Sequence, residues 1–396
     1  MNIINYKGRV MTVYILGGSR TPQGSFLGSL SSVEAPKLGA IAIEGALEKS
    51  NIKKEQVNEV FMGNVIQAGV GQAPARQATL FAGLPESTVA TTINKVCGSG
   101  LQAIILGART IMTGENKIVV SGGMENMSLA PHLLPNSRNG FKFGETKMKD
   151  SMQWDGLWDV YSDRPMGNCA EECTKKYDLT REAQDNFSIE SFKRAQAAQG
   201  SGKFAKEITP VVITSRKGDI TVSDDEGPSK VRFDKVPTLR PAFEKDGTIT
   251  AANASTINDG AAAIVLGSEE YKDQAKFKIH SFSSHAQNPT WFTTAPVEAI
   301  KKNLERSNLS IDDIGVWEIN EAFAAVTMVA MKELNLSHDK VNIFGGGVSL
   351  GHPIGTSGTR IVITLMNAME EKNEKYGCAA ICIGGGEALS IIIEKL

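Results

Sequence analysis

Residues 47–52 read LEKSNI and residues 304–309 read LERSNL, 257 residues apart, and each is followed by an acidic segment and an apolar, strand-like run. The likeness continues in order. MGN ends at Asn64 and EIN at Asn320; CGSGLQAI opens at Cys97 and GTSGTRIV at Gly355; GGME at 122–125 answers GGGE at 384–387. Four correspondences in one order at a nearly fixed offset are the signature of an internal duplication. The chain therefore reads as two homologous halves, roughly 1–128 and 277–396, packed about a pseudo-twofold axis. Elements at equivalent positions then face each other across one site.

The fold class follows from the alternation of patterns. Runs rich in β-branched residues (Val13 to Leu16, Val57 to Met62, Ile118 to Val120) alternate with helix-period segments (Leu38 to Glu48, Leu101 to Met112), which predicts α/β units with buried, largely parallel strands. Residues 129–276 have no counterpart in the repeat and read as an inserted loop domain that returns to the first half near 250–276. One firm helix runs there from a Thr180 N-cap to a stop at Gly200. Long insertions of this kind commonly serve as lids or binding loops.

Composition narrows the function. A chain of 396 residues with 41% hydrophobic and 22% charged residues is globular, and a net charge of -2 offers no general field for nucleic acid. No stretch approaches the roughly 18 to 20 apolar residues that cross a bilayer. The N-terminus, MNIINYKGRVMTVYILGG, lacks the parts of a signal peptide, and the final EKL is not the peroxisomal SKL, so a cytoplasmic location is expected. Five cysteines, an odd number, imply reduced thiols rather than a disulfide scaffold.

Cys97 lies where a strand-like ATTIN gives way to a helix beginning near Gly98. A helix N-terminus lowers a thiol pKa, and the flanking glycines let an acyl group approach the backbone. The competing reading, favoured for a lone cysteine, is a small buried residue in a tight corner. His352 shifts the balance, because it occupies the turn of GGGVSLGHPIGTSG that the repeat sets opposite Cys97. Cys382 ends an apolar strand and runs into three glycines; packing and chemistry are even there, whereas Cys378 reads as core. Asn320 in EINEAF suits either a polar group aimed at the strand ends or an N-cap. Cys169 and Cys173 lack further ligands for zinc and read as one apolar helix face. His132, His280, His285 and His338 show no partner in the sequence. GGSRTP and GGMEN fit neither nucleotide-phosphate pattern.

Taken together, NKVCGSG, GGMENMS, NEAF, GHPIG and CIGGGEA, in this order, resemble the thiolases, in particular the biosynthetic acetyl-CoA acetyltransferases, from about Val13 to the end. The resemblance implies a five-layered αβαβα fold of two duplicated halves with an inserted loop domain. It implies acetyl-CoA, acetoacetyl-CoA and CoA as substrates and products, no metal or organic cofactor, no nucleic-acid or membrane partner, and a homodimer or homotetramer. By the same resemblance Cys97 is the acylated nucleophile, His352 its base, and Cys382 the acid/base for a second acetyl-CoA. Asn320 and His352 share one oxyanion hole, and the amides of Cys97 and Gly384 form another. CoA contacts fall to Ser255, Met166 and Phe243, with Lys230 and Arg232 standing in for a basic residue expected near Pro228. Two departures bear on specificity: Pro165 stands where an acyl-pocket histidine is expected, and NAST places Thr256 where the family has glycine. The readings left beside acetoacetyl-CoA chemistry are a 3-ketoacyl-CoA thiolase of fatty-acid β-oxidation and a non-catalytic acyl-CoA-binding relative. The latter predicts loss of one of Cys97, His352 or Cys382, and all three are present.

Overall fold

A computed structural model describes residues 11–216 and 218–396. The segment 1–10, part of the N-terminus read for a leader, lies outside the described residues. The elements that position the site are, in chain order, β1 (Val13–Arg20), α1 (Ala35–Ser50), β2 (Glu59–Gly63), α2 (Pro74–Phe81), β3 (Val89–Ile93), α3 (Ser99–Met112), β4 (Ile118–Asn126), α4 (Met166–Lys176), α5 (Arg181–Gly200) and β5 (Asn258–Gly267). They continue with β6 (Phe277–Ala286), α6 (Ala295–Ser307), β7 (Val316–Ile319), α7 (Ala324–Leu334), α8 (Ser357–Lys372), β8 (Tyr376–Ile383) and β9 (Glu387–Lys395).

The LEKSN and LERSN repeats are helix ends. Asn51 and Asn308 follow α1 and α6 in the left-handed region, at φ 53° and 55°. In both, the next residue's amide returns to the leucine of the motif: Ile52 to Leu47 and Leu309 to Leu304, each at 3.1 Å. This Schellman closure satisfies carbonyls the helix leaves open, and asparagine tolerates the required φ.

The strands form the order β7-β8-β9-β6-β1-β5-β4-β2-β3. Read from the repeat, β2-β4-β5-β1 and β7-β8-β9-β6 are the same arrangement used twice. The equivalent strands β1 and β6 meet antiparallel over Val13 to Ile15, which is what a local twofold between the halves requires. The sheets are mixed, not largely parallel as the patterning suggested. β2 pairs parallel with β3 and β4, and β7 with β8, whereas β5 runs against both β4 and β1, and β9 against both β8 and β6. The glycine turn 384–386 is too short for a crossover, so β9 must fold back on β8. At the matching point of the first half the chain leaves for residues 127–257 before β5 returns.

Five layers result. Leu38, Ile43 and Leu47 of α1 cover Val60, Val120 and Val265 on one outer face. Leu101, Ile104 and Ile105 of α3 pack with Ile361, Val362 and Leu365 of α8 in the middle. Ile300 and Leu304 of α6 and Val329 of α7 cover Trp317, Ile319 and Ile392 on the far face. α5 begins and ends where the sequence places it: the Thr180 side chain accepts from the Ala183 amide at 3.1 Å, and the helix stops at Gly200. No helix among the described residues is long and apolar enough to cross a membrane.

Candidate active site

Both central helices start at the same end of the middle layer, and the two turns before them carry Cys97 and His352. The Cys97 turn is tight: Gly98 donates to Lys95 O at 3.0 Å and Ser99 to Val96 O at 3.1 Å. It forces Val96 to φ 46°, a conformation that is strained for a β-branched residue and is typical of places where geometry serves chemistry. The glycines beside Cys97 do not open space for an acyl group. A Cβ on Gly98 would lie 2.5 Å from Ile383 Cδ1, and one on Gly100 would lie 2.6 Å from Thr359 Oγ1. They admit the other half of the molecule, which is how the two turns come together.

The His352 turn is fixed by hydrogen bonds. The His352 amide donates to Thr256 O at 3.2 Å and to Asn258 Oδ1 at 3.3 Å. The Ser357 hydroxyl gives its one proton to Pro353 O at 3.0 Å, so at 2.5 Å from His352 Nδ1 it accepts. That network assigns the proton to Nδ1 and leaves Nε2 a bare lone pair. His352 Nε2 is buried without a partner. Burial, and then the charge of Arg360, hold the imidazole down at about 3, so it is neutral and basic in form throughout the physiological range.

Cys97, His352 and Gly384 line one cavity of about 280 Å³, together with Met166, Phe243 and Ser255. A larger cavity of about 470 Å³ contains none of these residues, so chemistry and not size locates the site. The backbone N–H groups of Gly384 and of Cys97 itself pull the Cys97 thiol down. Even so, burial drives that thiol up to about 11, opposite to the lowering expected from a helix N-terminus. The Cys97 side chain is half-buried and opens onto the cavity, yet desolvation by the surrounding protein outweighs the two amide dipoles.

The remaining residues fall into three groups. Cys382 is fully buried at the end of β8, behind the cavity wall, among Cys169, Ala322 and Phe323. Burial raises its thiol well above the ordinary value, and the Cys97 sulfur raises it further. Asn320 directly follows β7, but the helix after it is capped at Phe323, so the N-cap reading fails. Both polar atoms of the Asn320 side chain are buried and unpartnered, which normally costs about 1 to 3 kcal/mol and marks a group held open for something. Lys230 and Arg232 stand apart, lining a neighbouring cavity of about 320 Å³ and pairing with Glu226 and Asp234 at 3.7 and 3.5 Å. Thr256 lines both cavities and so lies between them. Pro165 is half-buried beside Met166 and is not part of the cavity wall.

Cys169 and Cys173 are both buried on α4, packing into two different apolar clusters. Three other histidines do have neighbours: His280 meets Glu394, His285 meets Gln287 and Lys302, and His338 stacks on Phe187. Sequence reasoning passed over Ser357, Asn258 and Glu125, which hold the turns without touching the cavity as nucleophile or base. Glu125 and Ser357 left a trace only as letters of the repeat, in GGME and GTSG.

Residues 13–270 match the family described as Thiolase, N-terminal domain, and residues 273–395 match Thiolase, C-terminal domain. The chain is 48% identical over 395 residues to the mitochondrial acetyl-CoA acetyltransferase erg10A of Aspergillus fumigatus, covering 98% of this chain and 91% of that protein. It is 50% identical over 390 residues to the cytosolic acetyl-CoA acetyltransferase ERG10 of Gibberella zeae, covering 97% and 98%. Among solved structures, the Acat5 thiolase from Ascaris suum in complex with coenzyme A superposes with a TM-score of 0.92 at 44% identity, over 97% of this chain and 100% of that one. The acetyl-CoA acetyltransferase of Bacillus anthracis does so with a TM-score of 0.95 at 37% identity, over 98% and 99%.

Proposed function

The chain belongs to the thiolase family, and from its site we infer how it carries out its reaction as an acetyl-CoA C-acetyltransferase, the Claisen condensation of two acetyl-CoA to acetoacetyl-CoA and CoA or the reverse thiolysis. The observation that carries the reading is one cavity in which the Cys97 thiol, bracketed by two amides, shares its wall with an imidazole whose Nε2 is free. The nearly full-length likeness to acetyl-CoA acetyltransferases favours this activity over a broad-chain β-oxidation thiolase, and the presence of all three reacting residues disfavours a non-catalytic relative.

Cys97 is neutral at rest, so its proton must leave as its sulfur attacks. His352 Nε2 takes it and passes it to the departing CoA sulfur, and the amides of Cys97 and Gly384 receive the charge that develops on the thioester oxygen. The product is acetyl-Cys97 and free CoA. Acylation then prepares the second half-reaction: His352 Nε2, free again once the CoA sulfur is protonated, takes the Cys382 proton and leaves that sulfur a thiolate. The Cys382 thiolate removes the α-proton of a second acetyl-CoA, and the enolate oxygen accepts from the protonated His352 Nε2 and from Asn320. The carbanion attacks the acetyl carbonyl and displaces the Cys97 sulfur, which takes back the proton from His352.

Met166, Phe243 and Ser255 are the contacts we assign to the pantetheine end of CoA, and Lys230 and Arg232, beyond Thr256, to its phosphates. The reaction is proposed to need no metal or organic cofactor. A cytoplasmic homodimer or homotetramer is part of the same proposal; five free thiols and the exposed edge strand β3 support it. Intact-mass measurement after mixing with acetyl-CoA tests the roles. Cys382→Ala is expected to gain one acetyl group and fail to condense; Cys97→Ala is expected to gain none, and an adduct on it sinks the assignment.

A further inference from the structure

Gly355, three residues after His352, is gripped from both sides by the first half. Its carbonyl sits in a socket of glycines: a Cβ on Gly123 would lie 1.9 Å from that oxygen, one on Gly63 2.8 Å and one on Gly100 3.0 Å. Its amide donates to Glu125 Oε2 at 2.9 Å. The same carboxylate takes three more donors from the turn after β2: Val65 N at 3.0 Å to Oε2, and Asn64 Nδ2 at 2.8 Å and Ile66 N at 3.1 Å to Oε1. Glu125 is itself fully buried and close enough to Cys97 to raise that thiol electrostatically.

We infer that Glu125 is a positioning residue for the reaction: its carboxylate ties the turn after β2 to the His352 loop and so sets His352 against Cys97. This rests on Cys97 and His352 being the reacting pair. Only a carboxylate can accept all four of these donors, because a protonated carboxyl or an amide turns one oxygen or nitrogen into a donor facing an N–H. The far end of the same loop has its own clamp, since Val348 N donates to the buried Glu321 at 3.2 Å. Release of Glu125 therefore frees one end while the other holds, which turns the loop instead of unfolding it.

The clamp is sensitive to pH. Burial pushes the Glu125 carboxyl up to about 7, against the pull of the amides of Ile66, Val65 and Gly355 and with a further push from Asp259. The charged or titratable groups on the elements around it are few. Asp259 lies on β5, Cys97 precedes α3, and His352 and Arg360 flank Gly355 along the chain; Lys37 on α1 pairs in solvent with Glu34, the residue just before that helix. His352 at about 3 and Cys97 at about 11 lie far from neutrality. An acid limb near pH 7 that reports Glu125 must vanish in Glu125→Gln, which leaves the other buried carboxyls near the loop, Glu318 at about 8 and Glu321 raised by burial, in place.

The test is the pH dependence of acetoacetyl-CoA thiolysis between pH 5.5 and 9. The protein itself is expected to lose kcat as pH falls through about 7. Glu125→Gln is expected to lose kcat by roughly 10- to 100-fold at pH 8, as small displacements of reacting groups do, with KM within about threefold and no acid limb. Glu125→Asp keeps the limb. Asn64→Ala removes one donor to the ionised form and is expected to move the limb upward; it decides the matter even if Glu125→Gln does not fold. A limb that survives Glu125→Gln, or that stays in place in Asn64→Ala, overturns the inference. The Cys97 assignment stands or falls separately, on whether Cys97→Ala acquires an acetyl group.

Discussion

Asn64 and Asn320 occupy equivalent places in the two halves, each at the end of the strand that leads to the site, and they are used in opposite ways. Asn64 Nδ2 donates to Met124 O at 3.2 Å and to Glu125 at 2.8 Å, and its Oδ1 alone is left buried without a partner. Asn320 keeps both its polar atoms buried and unbonded. The pair GGME and GGGE divides likewise: Glu125 is buried and binds two loops, whereas Glu387 lies near the surface and pairs with Lys95. One duplicated frame has thus become a half whose carboxylate holds the geometry and a half that keeps a buried amide unpaired, outside the lining of the cavity. Unsatisfied polar groups are tolerated where substrate completes them.

The sharpest way to break this contrast is to delete each amide. Asn320→Ala is expected to lower kcat by about 10²- to 10³-fold, the usual loss when one oxyanion donor is removed, with the urea midpoint unchanged or raised because an unpaired buried amide has gone. Asn64→Ala is expected to lower the unfolding free energy by about 1 to 3 kcal/mol, since it takes one of four donors from a buried carboxylate. If the midpoint falls in Asn320→Ala as it does in Asn64→Ala, the Asn320 amide is not unpaired.

The same contrast recurs in the buried arginines. Arg20 on β1 meets Glu207 at 2.8 Å and Asp225 at 2.7 and 2.9 Å. Arg360 on α8 has a single contact with Glu318 at 3.4 Å, and its Nε and Nη2, like Glu318 Oε1, lack partners. Burial raises the Glu318 carboxyl to about 8 despite Arg360. The sign follows: between about 4.5 and 8 the folded chain holds a proton that the unfolded chain has released, so stability is greatest at the acid end and declines as pH rises through that window. Urea midpoints are expected to fall from pH 6 to pH 9, and Glu318→Gln is expected to remove the part of the fall above pH 7. A flat profile in the unaltered protein would falsify the claim that this pair is poorly compensated.

Much of this was legible in the sequence, and what was not has physical causes. The duplication revealed that Cys97 and His352 share a site, because equivalence across a pseudo-twofold is a statement about distance. It also marked Glu125, but as a repeat letter without a role, since four hydrogen bonds from two loops leave no spacing rule. Strand direction was misread because a run buried on both faces looks alike in parallel and antiparallel sheets. The thiol's direction was misread because a helix N-terminus is visible in sequence and desolvation by the protein around the turn is not. Lys230 and Arg232 entered as stand-ins for a basic residue expected near Pro228, and they line the cavity next to that of Cys97.

The glycines provide the finest test, because sequence reads them all alike. Gly100 starts α3 where α8 crosses it, and an added Cβ would sit 2.6 Å from Thr359 Oγ1 and 2.9 Å from the Thr359 amide. Backbone cannot turn aside as a side chain can, so Gly100→Ala is expected to cost about 1 to 3 kcal/mol, the range for an overpacked core. Gly200 ends α5 with nothing within 4 Å of its own Cβ position. Gly200→Ala there removes only unfolded-chain freedom and is expected to stabilise by up to about 1 kcal/mol. Chemical denaturation of the two variants separates a glycine that lets the halves meet from one that merely ends a helix, and equal midpoints would show that α3 and α8 do not meet as closely as the Cys97 turn requires.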